Sequence, residues 1–227
     1  MPQLNPTTQD MASTASRHPY LNGPPNQVPG FSSLHRMVQL LLAERVPADG
    51  RILVHGAGGG LEIDALAREQ PEWRFDGVDP SREMLALAEQ TARPYQGRVA
   101  LHEGYIDGAP QGPFDGATSL LTFHFIPRQQ RLETLRAIHK RLKAGAPFVV
   151  MHISIPSAEP DRSLWLSRHL AFAGTPAASA EPSRQVMKSN LSILSPEEDE
   201  ASLREAGFDK IALFYAGFSF RGWVAYA

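Results

Sequence analysis

No cysteine occurs anywhere in the 227 residues. Its absence excludes a disulfide scaffold, a thiolate-ligated zinc and a thiol nucleophile. An excess of charge of one sign is missing too. With 22 Lys and Arg against 24 Asp and Glu, the formal net charge is −2, and there is no basic footprint of the kind a nucleic-acid binder carries. No apolar run approaches the ~20 residues of a membrane span. Residues 1–30 are rich in Pro, Asn, Gln, Thr and Ser and hold no apolar stretch for a secretory signal, so a cytoplasmic location is expected. The eight histidines form neither H-x-x-x-H nor H-E-x-x-H, so no metal site is expected. No nucleophile-elbow pattern announces a Ser/His/Asp triad either.

What is present is enough apolar material for a core, 42% hydrophobic against 20% charged, as in a globular domain. Residues 1–30 read as a flexible N-terminal arm ending in the turn-rich "LNGPPNQVPG". From Phe31 the pattern becomes helical, with Leu34, Val38, Leu41 and Leu42 recurring at three- and four-residue steps. Strands and helices then alternate. Strands are predicted at 51–55, 73–79, 98–104, 114–123 and 146–155, with helices at 61–69, 81–91 and 128–143 between them. Residues 156–194 interrupt this rhythm as an insertion expected to lie over the C-terminal edge of the sheet. Ser195, Pro196 and Glu198 then form a capping-box signature for a further helix. Two strands, "DKIALFYA" and "RGWVAYA", close the chain. This order predicts an α/β, three-layer, Rossmann-like domain over 31–227, with a seven-stranded, mostly parallel sheet.

The chemistry concentrates in "RILVHGAGGGLEIDALA", residues 51–67. Gly56, Gly58 and Gly60 punctuate a strand-to-helix turn. Bare backbone there lets a ligand approach, and the helix N-terminus offers free N–H groups. A dinucleotide fold wants G-x-G-x-x-G, but its third position is Leu61. The G-x-G-x-G spacing found instead is that of nucleoside-binding methyltransferases. Asp79 ends the next strand about 20 residues on, where a carboxylate can accept from both ribose hydroxyls. The same residue could instead cap the helix starting near Ser81. In "HEGYIDGAP", Tyr105 and Ile106 are candidates to flank an adenine, and Asp107 is either an acceptor for its exocyclic amine or a solvated loop acid. No catalytic base stands out.

These segments resemble the class I S-adenosylmethionine-dependent methyltransferases. "ILVHGAGGG", "FDGVDPS", "FDGATSLLTFHFI", "LKAGAPFVVMH" and "LREAGFDKIALFYAGF" fall in that family's order over residues 51–227. With "VPGFSSLHRMVQLLLAERV" and the segment from "SRQVMKSN" onward, the chain is more closely similar to the carboxy-S-adenosylmethionine synthases of tRNA wobble-uridine modification, over about residues 28–227. That resemblance places the cofactor at Gly56, Ala57, Gly58 and Asp79. It puts Pro80 where the family has asparagine, Phe31 where it has tyrosine, Tyr105 followed by Ile106 at its adenine aspartate, and Leu120 at a strand asparagine. Arg184 falls on the arginine that pairs with the extra carboxylate of the modified cofactor. Val54 stands where a strand-end acid commonly organises the turn and the amino end of its ligand.

The expected cofactor is therefore S-adenosyl-L-methionine or its carboxylated form, held by Gly56, Ala57, Gly58, Gly60, Asp79, Pro80, Tyr105, Ile106, Leu120, Phe31 and Arg184. The leading reading is a methyltransferase for a small-molecule acceptor, covered by the 31–45 helix and the 156–194 insertion. A carboxy-S-adenosylmethionine synthase-like enzyme and a non-catalytic binding module are the alternatives. The resemblance implies a homodimer, and neither a membrane nor a direct nucleic-acid partner is indicated.

Overall fold

The structure, a computed structural model, describes residues 19–227, with side chains from residue 23. Seven strands form one sheet: β1 (Arg51–His55), β2 (Arg74–Asp79), β3 (Val99–Glu103), β4 (Gly116–Leu120), β5 (Pro147–Ile153), β6 (Asp209–Gly217) and β7 (Phe220–Tyr226). Their order is β3-β2-β1-β4-β5-β7-β6. β1 to β5 run parallel, and β7 is antiparallel to both neighbours. This is the fold expected from the alternation of elements.

The central strands are apolar on both faces because helices cover both. Ile52 and Val54 of β1 join Val149 and Met151 of β5 in one core cluster. Leu53, Phe148 and Val150 point the other way into a second. The helices are α1 (Pro19–Gln27), α2 (Phe31–Ala43), α3 (Leu61–Glu69), α4 (Arg82–Thr91), α5 (Arg128–His139), α6 (Asp161–Phe172), α7 (Ala177–Asn190) and α8 (Pro196–Glu205). α2 buries Leu34, Val38 and Leu42 completely in the first cluster. By transfer energetics each such side chain stabilises the fold by roughly 1.5–3 kcal/mol. α8 starts in the capping box read from sequence: Ser195 Oγ accepts from the Glu198 N–H, and Glu198 answers on the Ser195 N–H at 2.9 Å.

Three expectations change. The arm expected over 1–30 lies outside the described residues up to residue 18, but α1 gives residues 19–27 helical structure of their own. The helix predicted over 128–143 ends at His139. The 156–194 insertion folds into α6 and α7 beside the β5 and β7 ends. Leu166 enters the same cluster as Ile155 and Phe220, and His169 Nδ1 lies 2.7 Å from Ser219 Oγ. Leu166 and Leu170 of α6 are buried there, whereas Leu164, Phe172 and Val186 stay exposed.

Candidate active site

Parallel strands deliver their C-terminal ends to one rim, and the connections diverge where the strand order reverses between β1 and β4. A cavity of about 930 Å³ opens there. His55 from β1, Val78 and Asp79 from β2, Gly104 after β3 and Leu120 at the end of β4 all line it. Phe31, Leu34 and His35 of α2 form another wall, and Pro24 of α1 joins them. Helix α2 starts at Gly30, whose φ of 65° turns the chain into it. Leu121, at φ 59°, bends the chain as it leaves β4 and brings Thr122 to the wall. A branched residue held in the left-handed region is strain that surrounding structure must sustain, and such strain gathers at ligand sites.

The glycine turn does two separate jobs. Gly56, at φ 77°, lies so close to Thr122 that a Cβ there would overlap that side chain. Gly56, Ala57 and Gly58 all face the cavity. Gly60 does not line it. At φ 83° it is the N-cap of α3, and a Cβ on it would stand 3.0 Å from the Ala88 Cα of α4. Gly60 therefore does the close helix packing that a dinucleotide fold assigns one position later, which is why Leu61 is tolerated. It moves from the ligand set to the packing set.

Asp79 fastens the rim. Its Oδ2 accepts from the Gly58 N–H at 2.9 Å, and its Oδ1 accepts from the Ser81 N–H at 2.9 Å. The N-cap of α4 is Ser81 itself, whose Oγ accepts from the Met84 N–H at 3.3 Å. Asp79 is therefore not the helix cap: it ties the glycine turn to the start of α4 and still lines the cavity. Pro80, Tyr105, Ile106 and Asp107 continue the wall, Tyr105 largely exposed at the rim.

Arg184 is absent from this assembly. It lies on α7, where it pairs with Glu181 and reaches Ser167 Oγ of α6 at 3.3 Å. No residue of 156–194 lines the cavity. The cavity wall carries no Lys or Arg among the described residues, but it does carry Glu62, Asp79, Asp107 and Glu133. His35 and His55 were not singled out as ligands by sequence, because each reads there as a lone polar residue on a mainly apolar element. Burial lowers both imidazoles to about 4, so both are neutral at physiological pH. His55 Nδ1 lies 3.0 Å from Ser119 Oγ, and the His35 ring meets Phe31 edge-on with centroids 4.8 Å apart. In the sequence Glu62 carries no site signal, since an acid in the first turn of α3 reads as a partner for the helix dipole. It is buried, and its Oε1 has no hydrogen-bond partner. Desolvation raises the carboxyl to about 7, the Thr118 hydroxyl working against that rise.

Among the described residues no group of three or more His, Asp and Glu is placed to hold a metal ion. Among the described residues no helix is long and apolar enough to cross a membrane.

Residues 53–148 match the family model described as a methyltransferase domain. The carboxy-S-adenosyl-L-methionine synthase of Actinobacillus succinogenes is 23% identical over 206 residues, covering 87% of this chain and 85% of that protein. Human N-acetylserotonin methyltransferase, solved with S-adenosylmethionine, superposes with a TM-score of 0.61 at 15% identity over 96% of this chain. An O-methyltransferase family protein from Burkholderia thailandensis gives 0.65 at 13% identity, again over 96% of this chain. The chain spans 55% and 60% of those two longer proteins, and at such identities the likeness establishes the fold.

Proposed function

We infer that this chain, a member of the class I S-adenosylmethionine-dependent methyltransferase superfamily, methylates a small-molecule acceptor from plain rather than carboxylated S-adenosylmethionine. The observation that carries the reading is the charge of the cavity: among the described residues its wall carries four carboxylates and no Lys or Arg. The family implies S-adenosylmethionine binding, and the residues fit that group. A bare-backbone turn at Gly56 and Gly58, a rim carboxylate at Asp79 and an orphaned buried oxygen on Glu62 together suit a cationic nucleoside. When bound, this cofactor supplies a methyl group on a positively charged sulfur.

The protein's part is to bind, orient and exclude water. Asp79 is read as the ribose acceptor, its geometry held by the Gly58 and Ser81 N–H groups. Pro80, Tyr105, Ile106 and Leu120 supply apolar wall where the resemblance has polar ligands. Phe31, Leu34 and His35 close the acceptor side. The neutral imidazoles of His35 and His55 are weak bases with pKa near 4. They suit accepting a hydrogen bond from an acceptor O–H and so orienting it, rather than storing its proton. Proximity and orientation then account for most of the rate, worth up to ~7–11 kcal/mol. The enzyme is further read as cytoplasmic.

The second reading, a carboxy-S-adenosylmethionine synthase-like enzyme, is favoured by the similarity to those proteins over most of the chain. Against it, Arg184 is engaged with Glu181 away from the cavity. A homodimer rests on that similarity as well, and sedimentation reads it directly. Calorimetry with S-adenosylmethionine, S-adenosylhomocysteine and NAD tests the leading reading. Both sulfur nucleosides should bind and NAD should not; tighter NAD binding would overturn it. Mass spectrometry of co-purifying ligand decides between the two cofactors, a carboxylated nucleoside favouring the second reading outright.

A further inference from the structure

An acid buried at a cavity wall needs compensation. Glu62 is 7% exposed, lines the cavity beside the glycine turn, and keeps one carboxylate oxygen without a hydrogen-bond partner. Desolvation of an unpaired carboxylate is costly, and native structures rarely leave such a group unmatched. Among the described residues no Lys or Arg lines the cavity to match it. The neutral Thr118 hydroxyl of β4 favours the charged form of Glu62, and Thr118 is in register with Val54 of β1. A neutral hydroxyl leaves the charge itself unbalanced. Without a ligand the carboxyl is relieved by holding a proton; a cation that arrived with the ligand would match it in its charged form, next to a turn whose backbone faces the same space.

We propose that Glu62, in the first turn of α3, is the counter-charge for the α-ammonium group of the bound nucleoside's amino-acid end. This rests on the cofactor reading above. Val54, in register with the Thr118 that acts on this carboxyl, has only an apolar side chain to offer. The negative charge thus comes from the helix after the glycine turn rather than from the strand before it. Glu62 is a binding and positioning residue, selecting ligands that end in a cation.

The test is calorimetry of the full chain with two neutral-sulfur nucleosides: S-adenosylhomocysteine, which carries the amino-acid end, and 5′-methylthioadenosine, which lacks it. Glu62→Gln keeps the shape and removes the charge. It should weaken S-adenosylhomocysteine at least tenfold while leaving 5′-methylthioadenosine within about twofold. Glu62→Asp, which keeps the charge, should recover part of the loss. The 5′-methylthioadenosine titration also verifies that the site is folded. Equal losses for both nucleosides, or none for either, would overturn the role of Glu62. Failure of the unsubstituted protein to bind either nucleoside would instead overturn the cofactor reading.

Discussion

Replacing Glu62 by Gln should stabilise the ligand-free protein, and more so as pH rises. The folded-state carboxyl titrates at about 7 against an ordinary value of 4.5, with burial as the main cause. Between those values the folded chain holds a proton that the unfolded chain has released, so stability falls as pH rises through the window. At ~1.4 kcal/mol per unit the full cost of the buried charge is about 3 kcal/mol. Of this, about 2.5 kcal/mol should be lost between pH 5 and pH 8. Against a typical domain stability of ~5–15 kcal/mol this is a large fraction. Urea unfolding of the natural chain and of Glu62→Gln, each at pH 5 and pH 8, isolates the effect because every other titrating group is shared. The stability difference should move by about 2.5 kcal/mol in favour of Gln across that range. Saturating S-adenosylhomocysteine should then favour the natural chain, since only it pairs with the ligand's cation. A difference that stays constant with pH would refute the reasoning, because a charge-free explanation such as altered packing carries no proton.

Asp79→Ala should abolish nucleoside binding and also release the Gly58 and Ser81 N–H groups; calorimetry that finds affinity retained would leave Asp79 as a fastening of two turns. Gly60→Ala places a Cβ against Ala88 in a left-handed turn and should cost at least ~1–3 kcal/mol by denaturation. Arg184→Ala, far from the cavity, should leave S-adenosylmethionine affinity within twofold by calorimetry; a tenfold loss would bring the arginine back into the site. Asp199 is buried between Arg131, at 2.9 Å, and His152, at 3.1 Å. Asp199→Ala strands the Arg131 charge and should cost ~3–5 kcal/mol, read from urea unfolding.

The fold was legible because it is written in local repeats. Period-two burial, as in Ile52 and Val54 against Leu53, and three-to-four-residue spacing, as in Leu34, Val38 and Leu42, are set by backbone geometry alone. The glycine turn and Asp79 were legible for the same reason: strand, turn, strand and acid lie within 30 residues and one βαβ unit. Arg184 failed because its placement depended on how a 39-residue insertion packs. That in turn depended on Leu166 and His169 meeting the β5 and β7 ends rather than on any spacing along the chain. Gly60 failed for a subtler reason. Two glycines of one motif look alike in sequence, and only the approach of α4 at Ala88 separates the one that faces ligand from the one that faces a helix.

The strand-end position shows what a motif comparison weighs and what it misses. Val54 breaks the acid-bearing pattern, and read alone it removes a charge from the turn. It also lets β1 contribute a fully buried apolar side chain to the cluster that holds Ile52, Ile63 and Met151. Charge need only be present in the cavity, not on a given element. An acid six residues beyond the first glycine begins one turn of α3 and is carried back over the turn toward Thr118, opposite Val54. Helix geometry makes this possible, since side chains on a first turn lean toward the N-terminus and so toward the loop that precedes it. The apolar strand end and the buried helix acid are then one compensated arrangement. Val54 is fully buried and does not line the cavity, so an acid there, beside Thr118 and with Glu62 retained, would bury a second carboxylate and raise the proton affinity of the pair. Val54→Asp alone should therefore weaken S-adenosylhomocysteine at neutral pH, and Val54→Asp combined with Glu62→Leu should recover it. If the double variant binds no better than Val54→Asp alone, the two positions do not share one charge and the compensation argument fails.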